Sequence, residues 1–393
     1  MNFVFVSLQR INTDRESTST SLAKELARQN HQVLYVNHPL DRRTLLKKER
    51  DPYTNEHIRK IKEGEPSLVK IGENLWELNP AKTLESINWI PNTTIFRLFN
   101  KLNNLRFGAE IREAVRQLQF GSFILINDKD IFRSFYLKEI LKPSLYVYLD
   151  RDYTLGFDYW KRHGITLEPE LMKKSDAIVC NSLDFTKNAS KYNPRSFYIG
   201  NGGDLSLFNK NNAGPVPPEL RDLPRPVIGY VGLLTAQRLD IELIRKTALN
   251  SRGSVVLIGA EDEIFSKSDL HNLKNVYFIE KKHTREIPSY INAFDVCINP
   301  QVINKITIGN FPLKIIEYLA MGKPVVAIST NTMREVFSEH CYLSEDHDGF
   351  IENIETALRE NNTQLESERM EYAQNFSWEN IVKRLTGIIC SLN

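Results

Sequence analysis

The chain has 393 residues, 41% of them hydrophobic and 25% charged, which is enough apolar side chain for two cored domains and excludes a disordered chain. A formal net charge of +2, with neither half forming a basic block, gives no electrostatic footprint for nucleic acid. Cys180, Cys297, Cys341 and Cys390 are widely spaced without a C-x-x-C and read as reduced thiols. No apolar run reaches the ~18 residues of a spanning helix and no signal-peptide pattern opens the chain, so the expected location is the cytoplasm.

Residues 3–7 read as a short buried strand, followed by a polar loop, a helix over 19–29 and a strand over 33–37, a β-loop-α-β unit. The loop lacks G-x-G-x-x-G, which argues against a dinucleotide fingerprint. Its hydroxyls nevertheless lie beyond the carboxyl end of a strand, where open α/β sheets bind ligands. Residues 42–62 mix many cations with acids and read as solvated surface. Farther on, Trp89, Ile90, Ile95, Phe96, Leu98, Phe99, Leu102 and Phe107 are interleaved with Arg97, Lys101 and Arg106. That mixture fits an anionic membrane surface, and equally an amphipathic pair of helices covering the sheet.

Residues 108–118 continue as helix, and 123–127 and 145–149 as buried strands. These strands exit in Asn127-Asp128-Lys129-Asp130 and Asp150-Arg151-Asp152. Both exits contain D-x-D, but two carboxylates without further ligands do not define a metal site, and no metal is expected. His163, in Y-W-K-R-H-G, is a candidate cleft residue or a structural histidine. A helix over 168–174 and a strand over 177–181 lead to residues 196–199 and then the cluster Gly200-Asn201-Gly202-Gly203, which suits a tight turn or a hinge.

Five prolines between residues 211 and 226 make a semi-rigid linker. A strand over 227–231 ends in Gly232, and its loop leads to Arg238, which can face a phosphate or pair with Asp240. Strands over 254–258, 275–279 and 296–299 follow. Residues 310–328, N-F-P-L-K-I-I-E-Y-L-A-M-G-K-P-V-V-A-I, then read as loop, helix, stop and strand. Pro312 suits the first helical position, Leu313, Ile316, Leu319 and Ala320 share an apolar face, and Gly322 closes the helix. Phe311 has no oxygen to cap the free N–H groups and Asn310 stands one position early. The helix start, with Lys314 in its first turn, is therefore a ready anion site. Glu317 can accept two hydrogen bonds from a vicinal diol such as ribose, or can pair with Lys314 on a solvated face. Ser377 suits the cap of a final helix running to Cys390.

At these residues the chain resembles the retaining, nucleotide-sugar-dependent glycosyltransferases of the GT-B fold, the glycogen-synthase-like family four. P-L-K-I-I-E-Y-L-A-M-G-K-P-V-V is similar to that family's donor-site signature, and E-x-x-L-M-K-K-S-D-A-I-V-C-N-S to the last unit of its amino-terminal domain. The resemblance implies an α/β protein of two Rossmann-like domains, with parallel sheets, helices on both faces and an interdomain cleft. Residues 1–207 would bind the acceptor, 208–226 form a linker, 227–375 bind the nucleotide sugar, and 376–393 pack back on the first domain. Glu317 would hold the donor ribose. Lys314, Arg238 and the backbone near Pro312, Leu313 and Gly232 would handle the diphosphate, Gly202 would line the donor pocket, and Lys282, within residues 280–283, would approach the base. Asp152 falls where the family places acceptor-side polar groups, although it also suits a helix cap. The family's Glu-x7-Glu motif is incomplete, because Gly309 stands in place of the first glutamate, so the contact to the transferred sugar falls to backbone, to Thr307 or elsewhere.

The expected activity is transfer, with retention, of a sugar from a nucleotide diphosphate to a saccharide or lipid-linked glycan in bacterial surface polysaccharide or glycan assembly. Neither a cofactor beyond the donor nor a nucleic-acid partner is expected. The site of action is the cytoplasm or the inner face of the plasma membrane, held peripherally. A nucleotide-sugar epimerase of similar shape and, because of Gly309, a non-catalytic binding subunit are the other classes that fit.

Overall fold

The computed structural model describes residues 1–13, 17–305, 307–360 and 362–392, so residues 14–16 of the first polar loop lie outside it. The chain divides into two compact units, Met1–Ile199 with Val382–Asn393, and Gly200–Ile381. The glycine cluster and the proline-rich stretch therefore belong with the second unit.

The strands of the first unit are β1 (Asn2–Ser7), β2 (Gln32–Val36), β3 (Leu68–Gly72), β4 (Leu75–Leu78), β5 (Ile124–Asp128), β6 (Leu145–Asp150), β7 (Ala177–Cys180) and β8 (Ser196–Tyr198). They lie in the order β3-β4-β2-β1-β5-β6-β7-β8, parallel except for the antiparallel β3–β4 pair. The chain leaves β1 for β2 on one side and returns to β5 on the other, a switch that opens a crevice beyond the carboxyl ends of β1 and β5. A capping box of Ser17 and Thr20 starts the helix Thr18–Arg28, which packs beside β1 and β2.

The second unit holds β9 (Val227–Val231), β10 (Ser254–Ile258), β11 (Val276–Ile279), β12 (Val296–Asn299), β13 (Val325–Ile328) and β14 (Tyr342–Ser344), in the order β11-β10-β9-β12-β13-β14. Every pairing is parallel, and the switch falls at β9. Helices cover both faces of each sheet. The apolar runs that marked β9, β10, β12 and β13 in the sequence are strands over the same residues. The hairpin β3–β4 and the short β14 were not foreseen; β3 has no buried residue, so no apolar run announces it.

The pair of helices expected around residue 100 is instead one 25-residue helix, Thr93–Gln117. Ser377 caps the last helix, Trp378–Leu392, accepting from the Asn380 N–H at 3.3 Å. Among the described residues no helix is long and apolar enough to cross a membrane.

At the exits of β5 and β6 a cluster of charges is enclosed. Lys129 donates to Asp150 and, at 2.6 Å, to Glu168, which also accepts from the Tyr148 hydroxyl at 2.7 Å; all three charged side chains are at most 7% exposed. Burial next to Glu168 raises the Asp150 carboxyl to about 6 even with Lys129 in contact. Lys129→Met would leave both carboxylates without a counter-cation and should cost ~3–5 kcal/mol in urea unfolding near neutral pH. Part of that loss should return as the pH falls from neutrality, because losing Lys129 raises the Asp150 carboxyl further and its protonation removes uncompensated charge.

Candidate functional site

The switch point of the second unit is built from bare backbone. β9 ends in Gly232 at φ 145°, and a Cβ there would lie 2.8 Å from the Lys314 ammonium nitrogen. β10 ends in Gly259 at φ 154°, where a Cβ would lie 1.8 Å from the Gly232 carbonyl oxygen. Only glycine fits either place, and together they leave two strand exits open beneath the start of the helix Leu313–Ala320. The Tyr318 hydroxyl accepts the Val231 N–H at 2.8 Å and pins the helix to the end of β9.

The helix begins one residue later than the sequence suggested, because Pro312 occupies the cap position and contributes no side-chain hydrogen bond. Asn310 cannot serve as a cap either, since its amide oxygen accepts from Gln301 at 3.1 Å. Phe311 is buried against Phe337 and Phe376, which fixes the entry to the helix. Ile315, Ile316, Tyr318, Leu319 and Ala320 form the buried face, whereas Leu313, expected on it, is 37% exposed at the first position of the helix. Gly322, at φ 72°, closes the far end.

Lys314 and Glu317 are only half-buried by surface, but protein atoms crowd round both. The Lys314 ammonium lies 3.7 Å from the centroid of the buried Tyr230 ring and donates to its hydroxyl. Desolvation brings it down to about 7, with Glu317 opposing that shift and Arg238 adding to it. Desolvation brings Glu317 up to about 7, with Lys314 opposing. Among the described residues no ion pair within 4 Å joins the two, and none donates a hydrogen bond to the Glu317 carboxylate, so this is not the ordinary solvated pair. An amine short of an anion and a carboxylate short of donors sit on one flank of one helix.

Arg238 is exposed, and Asp240 does not hold it, because Asp240 caps Leu243 at 3.0 Å and contacts His347 at 3.0 Å. Its charge is felt by Lys314 and Tyr230, so it lies within electrostatic range of that amine. Gly202 packs against Trp378, where a Cβ would come within 2.4 Å of the indole, and Gly203 approaches Ile316 of the helix. The glycine at 202 thus makes room for a tryptophan.

Lys282 is engaged elsewhere, ion-paired with Glu219 at 2.7 Å and lying over Tyr290. Closer to the glycine exits, a pocket of about 350 Å3 opens between Gly259, Glu261, Phe278, Glu280 and Lys281. Thr307 is no substitute for the missing glutamate, because it is fully buried with its hydroxyl given to the Val302 carbonyl at 2.5 Å.

In the first unit, Asp152 is 59% exposed and pairs with Arg151 at 2.6 Å; Arg151 also holds Asp128, which accepts from Ser7 at 2.6 Å. His163 is a correction to the cleft reading. It is fully buried, stacked on Phe96 at 4.0 Å, with Nδ1 3.1 Å from the Thr93 hydroxyl, and burial lowers its pKa. Two features were missed. Tyr230, the platform under Lys314, read simply as a strand residue, although it shares a face of β9 with Gly232. A pocket of about 270 Å3 beyond β2 is lined by Arg10, His38, Lys47, Arg50 and Asp51, residues that had read as loop and solvated surface. There burial, Arg133 and Arg10 hold His38 well below its ordinary pKa, so it is a neutral imidazole.

Residues 225–360 match the family model described as glycosyl transferases group 1. Over 236 residues the chain is 28% identical to the putative teichuronic acid biosynthesis glycosyltransferase TuaH of Bacillus subtilis, a match covering 56% of this chain and 59% of that protein. In the solved structures, a glycosyltransferase from Rickettsia africae superposes with a TM-score of 0.66 at 14% identity, covering 100% of this chain and 98% of the other. Anabaena HepE in complex with UDP-glucose gives 0.64 at 15% identity, covering 100% of both chains. Sucrose-phosphate synthase from Thermosynechococcus elongatus gives 0.62 at 16%, covering 100% of this chain and 98% of that one. The fold is the GT-B fold that the resemblance implied.

The paired shifts predict how stability without ligand depends on pH. Glu317 holds its proton more tightly folded than unfolded, so its contribution is full below its ordinary value of 4.5 and is lost as the pH rises through about 7. Lys314 holds its proton less tightly folded, so stability rises between about 7 and its ordinary 10.5. Chemical denaturation across this range should show a dip near neutrality. Lys314→Met should remove the rise on the alkaline side and leave the protein more stable at neutral pH.

Proposed function

We propose that the chain, whose residues 225–360 belong to glycosyl transferases group 1, moves a sugar from a nucleotide-diphosphate donor held by its second unit onto a glycan acceptor. The observation that carries this reading is the Lys314 ammonium over Tyr230, at an uncapped helix start above two glycine strand exits, with Glu317 unpartnered one turn on. Breaking the anomeric C–O bond puts negative charge on the departing diphosphate. A desolvated amine, free helix N–H groups and Arg238 lie where that charge grows, and their interaction with it strengthens along the reaction. Glu317 is suited to the two hydroxyls of the ribose. The pocket at Phe278, Glu280 and Lys281 has the size for the base, and takes the place of Lys282 in the reading.

Retention follows in this reading from same-face attack, with the departing phosphate taking the acceptor proton. Asp152 and the neutral His38 beside Arg10 are suited to the acceptor. The teichuronic acid name of the Bacillus relative supports a saccharide or lipid-linked glycan of the bacterial surface, worked on at the inner face of the membrane by a peripherally held protein. A second reading, a non-catalytic nucleotide-sugar-binding subunit, is favoured by one observation. Gly309 offers no carboxylate, and Thr307 is already committed.

A panel of nucleotide sugars scored by thermal shift should yield one that raises the melting temperature. With that donor, Lys314→Ala should lower turnover ~10²–10³-fold, as loss of a charge-stabilising donor does elsewhere. Glu317→Ala should raise the donor Kd ~10-fold or more. Asp152→Asn should slow transfer and spare donor affinity. Donor binding without hydrolysis or transfer to any glycan would favour the binding subunit, and no binding of any nucleotide sugar would remove both readings.

A further inference from the structure

The helix Thr93–Gln117 buries Phe96, Phe107, Ile111, Ala114 and Val115, yet takes three asparagines into the same face and leaves an apolar stripe outside. Its buried face carries Asn100, Asn103 and Asn104, whose amides bond to backbone: Asn100 and Asn104 donate to the Phe132 carbonyl at 2.8 and 3.0 Å, Asn104 accepts from Tyr136 at 2.9 Å, and Asn103 both donates to and accepts from Glu85 at 2.9 Å. Its outward face carries Ile95, Leu98, Phe99, Leu102 and Leu105, exposed by 44–66%. A helix that covers a sheet normally does the opposite. Rotation cannot bury the stripe, because turning the leucines inward would expose Phe96, Phe107 and Ile111 and strip three asparagines of their partners.

The surroundings of this stripe identify what covers it. Trp89, 73% exposed, is held in place by its indole N–H on the Ser86 carbonyl at 2.8 Å, and Phe157 and Ile165 are also exposed on the neighbouring segment. No acidic residue lies in the sequence between Glu85 and Glu110, whereas Arg97, Lys101 and Arg106 do. Arg97 and Arg106 pair with Glu170 and Glu85, while Lys101, Lys161 and Arg162 make no ion pair among the described residues. A second copy packed face to face would set these cations against themselves. An anionic surface with an apolar interior satisfies both the leucines and the cations.

We propose that the outer face of the helix Thr93–Gln117, with Trp89 at its edge, docks on an anionic lipid bilayer. This deepens the peripheral location in the functional reading above and rests on residues apart from the donor site. The test is sedimentation of the full chain with phosphatidylcholine vesicles, with and without phosphatidylglycerol, at low and high salt. Wild type should pellet with the anionic vesicles, less so in high salt, and Leu98→Gln/Leu102→Gln should lower its partition ~10-fold or more. The melting temperature and the nucleotide thermal shift of that variant should stay as in wild type. Wild type that stays in solution with anionic vesicles, or a variant that pellets equally well, would overturn the proposal. So would a wild-type dimer that the variant splits without any lipid binding, which would assign the stripe to self-association. Vesicle binding without any nucleotide binding would leave the docking surface standing and remove the donor-site reading alone.

Discussion

The second unit is organised around a cation placed where it is poorly satisfied. Lys314 is lifted out of water onto an aromatic ring and brought down to about 7, while Glu317, the carboxylate that could neutralise it, is held out of ion-pair reach. Enclosing a charge without a partner costs stability, and such a site persists where an anionic ligand completes it. The surrounding features shape the space around that amine. Gly232 and Gly259 clear the space below, Tyr318 ties the helix to β9, and Phe311 locks the loop that enters it.

The first unit shows what the same chain does with charges it means to keep. Lys129 with Asp150 and Glu168, and Arg151 with Asp128 and Ser7, are closed networks in which each ion has partners at hydrogen-bond distance. Both networks sit at strand exits, as the Lys314 site does, so position in the fold does not separate structural charges from functional ones. Satisfaction does. Among the described residues, the groups around Arg10 and His38 and the exposed Asp152 lie outside these buried networks, and the acceptor is proposed to bind there.

What the sequence revealed follows from which physical signals are local. Four strands of the second unit were legible to the residue because they are continuous apolar runs bounded by glycine or proline. The uncapped helix start was legible because Phe311 and Pro312 lack the atoms to cap it. The fate of His163 was not, since its stacking partner Phe96 comes from a distant helix that no spacing rule connects to it. The orientation of the helix Thr93–Gln117 was hidden for a different reason. Hydropathy places Phe96 and Phe107 in the core correctly, but between them Asn100, Asn103 and Asn104 recur at helical spacing just as Leu98, Phe99 and Leu102 do, and there it picks the wrong row. The asparagines face inward because loop backbone at Phe132, Tyr136 and Glu85 needs their amides. Of the stand-ins for the missing glutamate, backbone, Thr307 or another group, Thr307 has its hydroxyl spent on the loop itself.

Proton linkage measured on binding probes the desolvated amine of Lys314 most directly. Calorimetric titration with the nucleoside diphosphate that binds best, at pH 8 in buffers of different ionisation enthalpy, reports the protons exchanged per nucleotide bound. With Lys314 near 7 in the free protein, it is mostly neutral at that pH, and an arriving diphosphate must restore its charge. The expected result is uptake of about one proton, abolished in Lys314→Met. Binding with no proton uptake, or with the same uptake in that variant, would contradict the central role given to this amine.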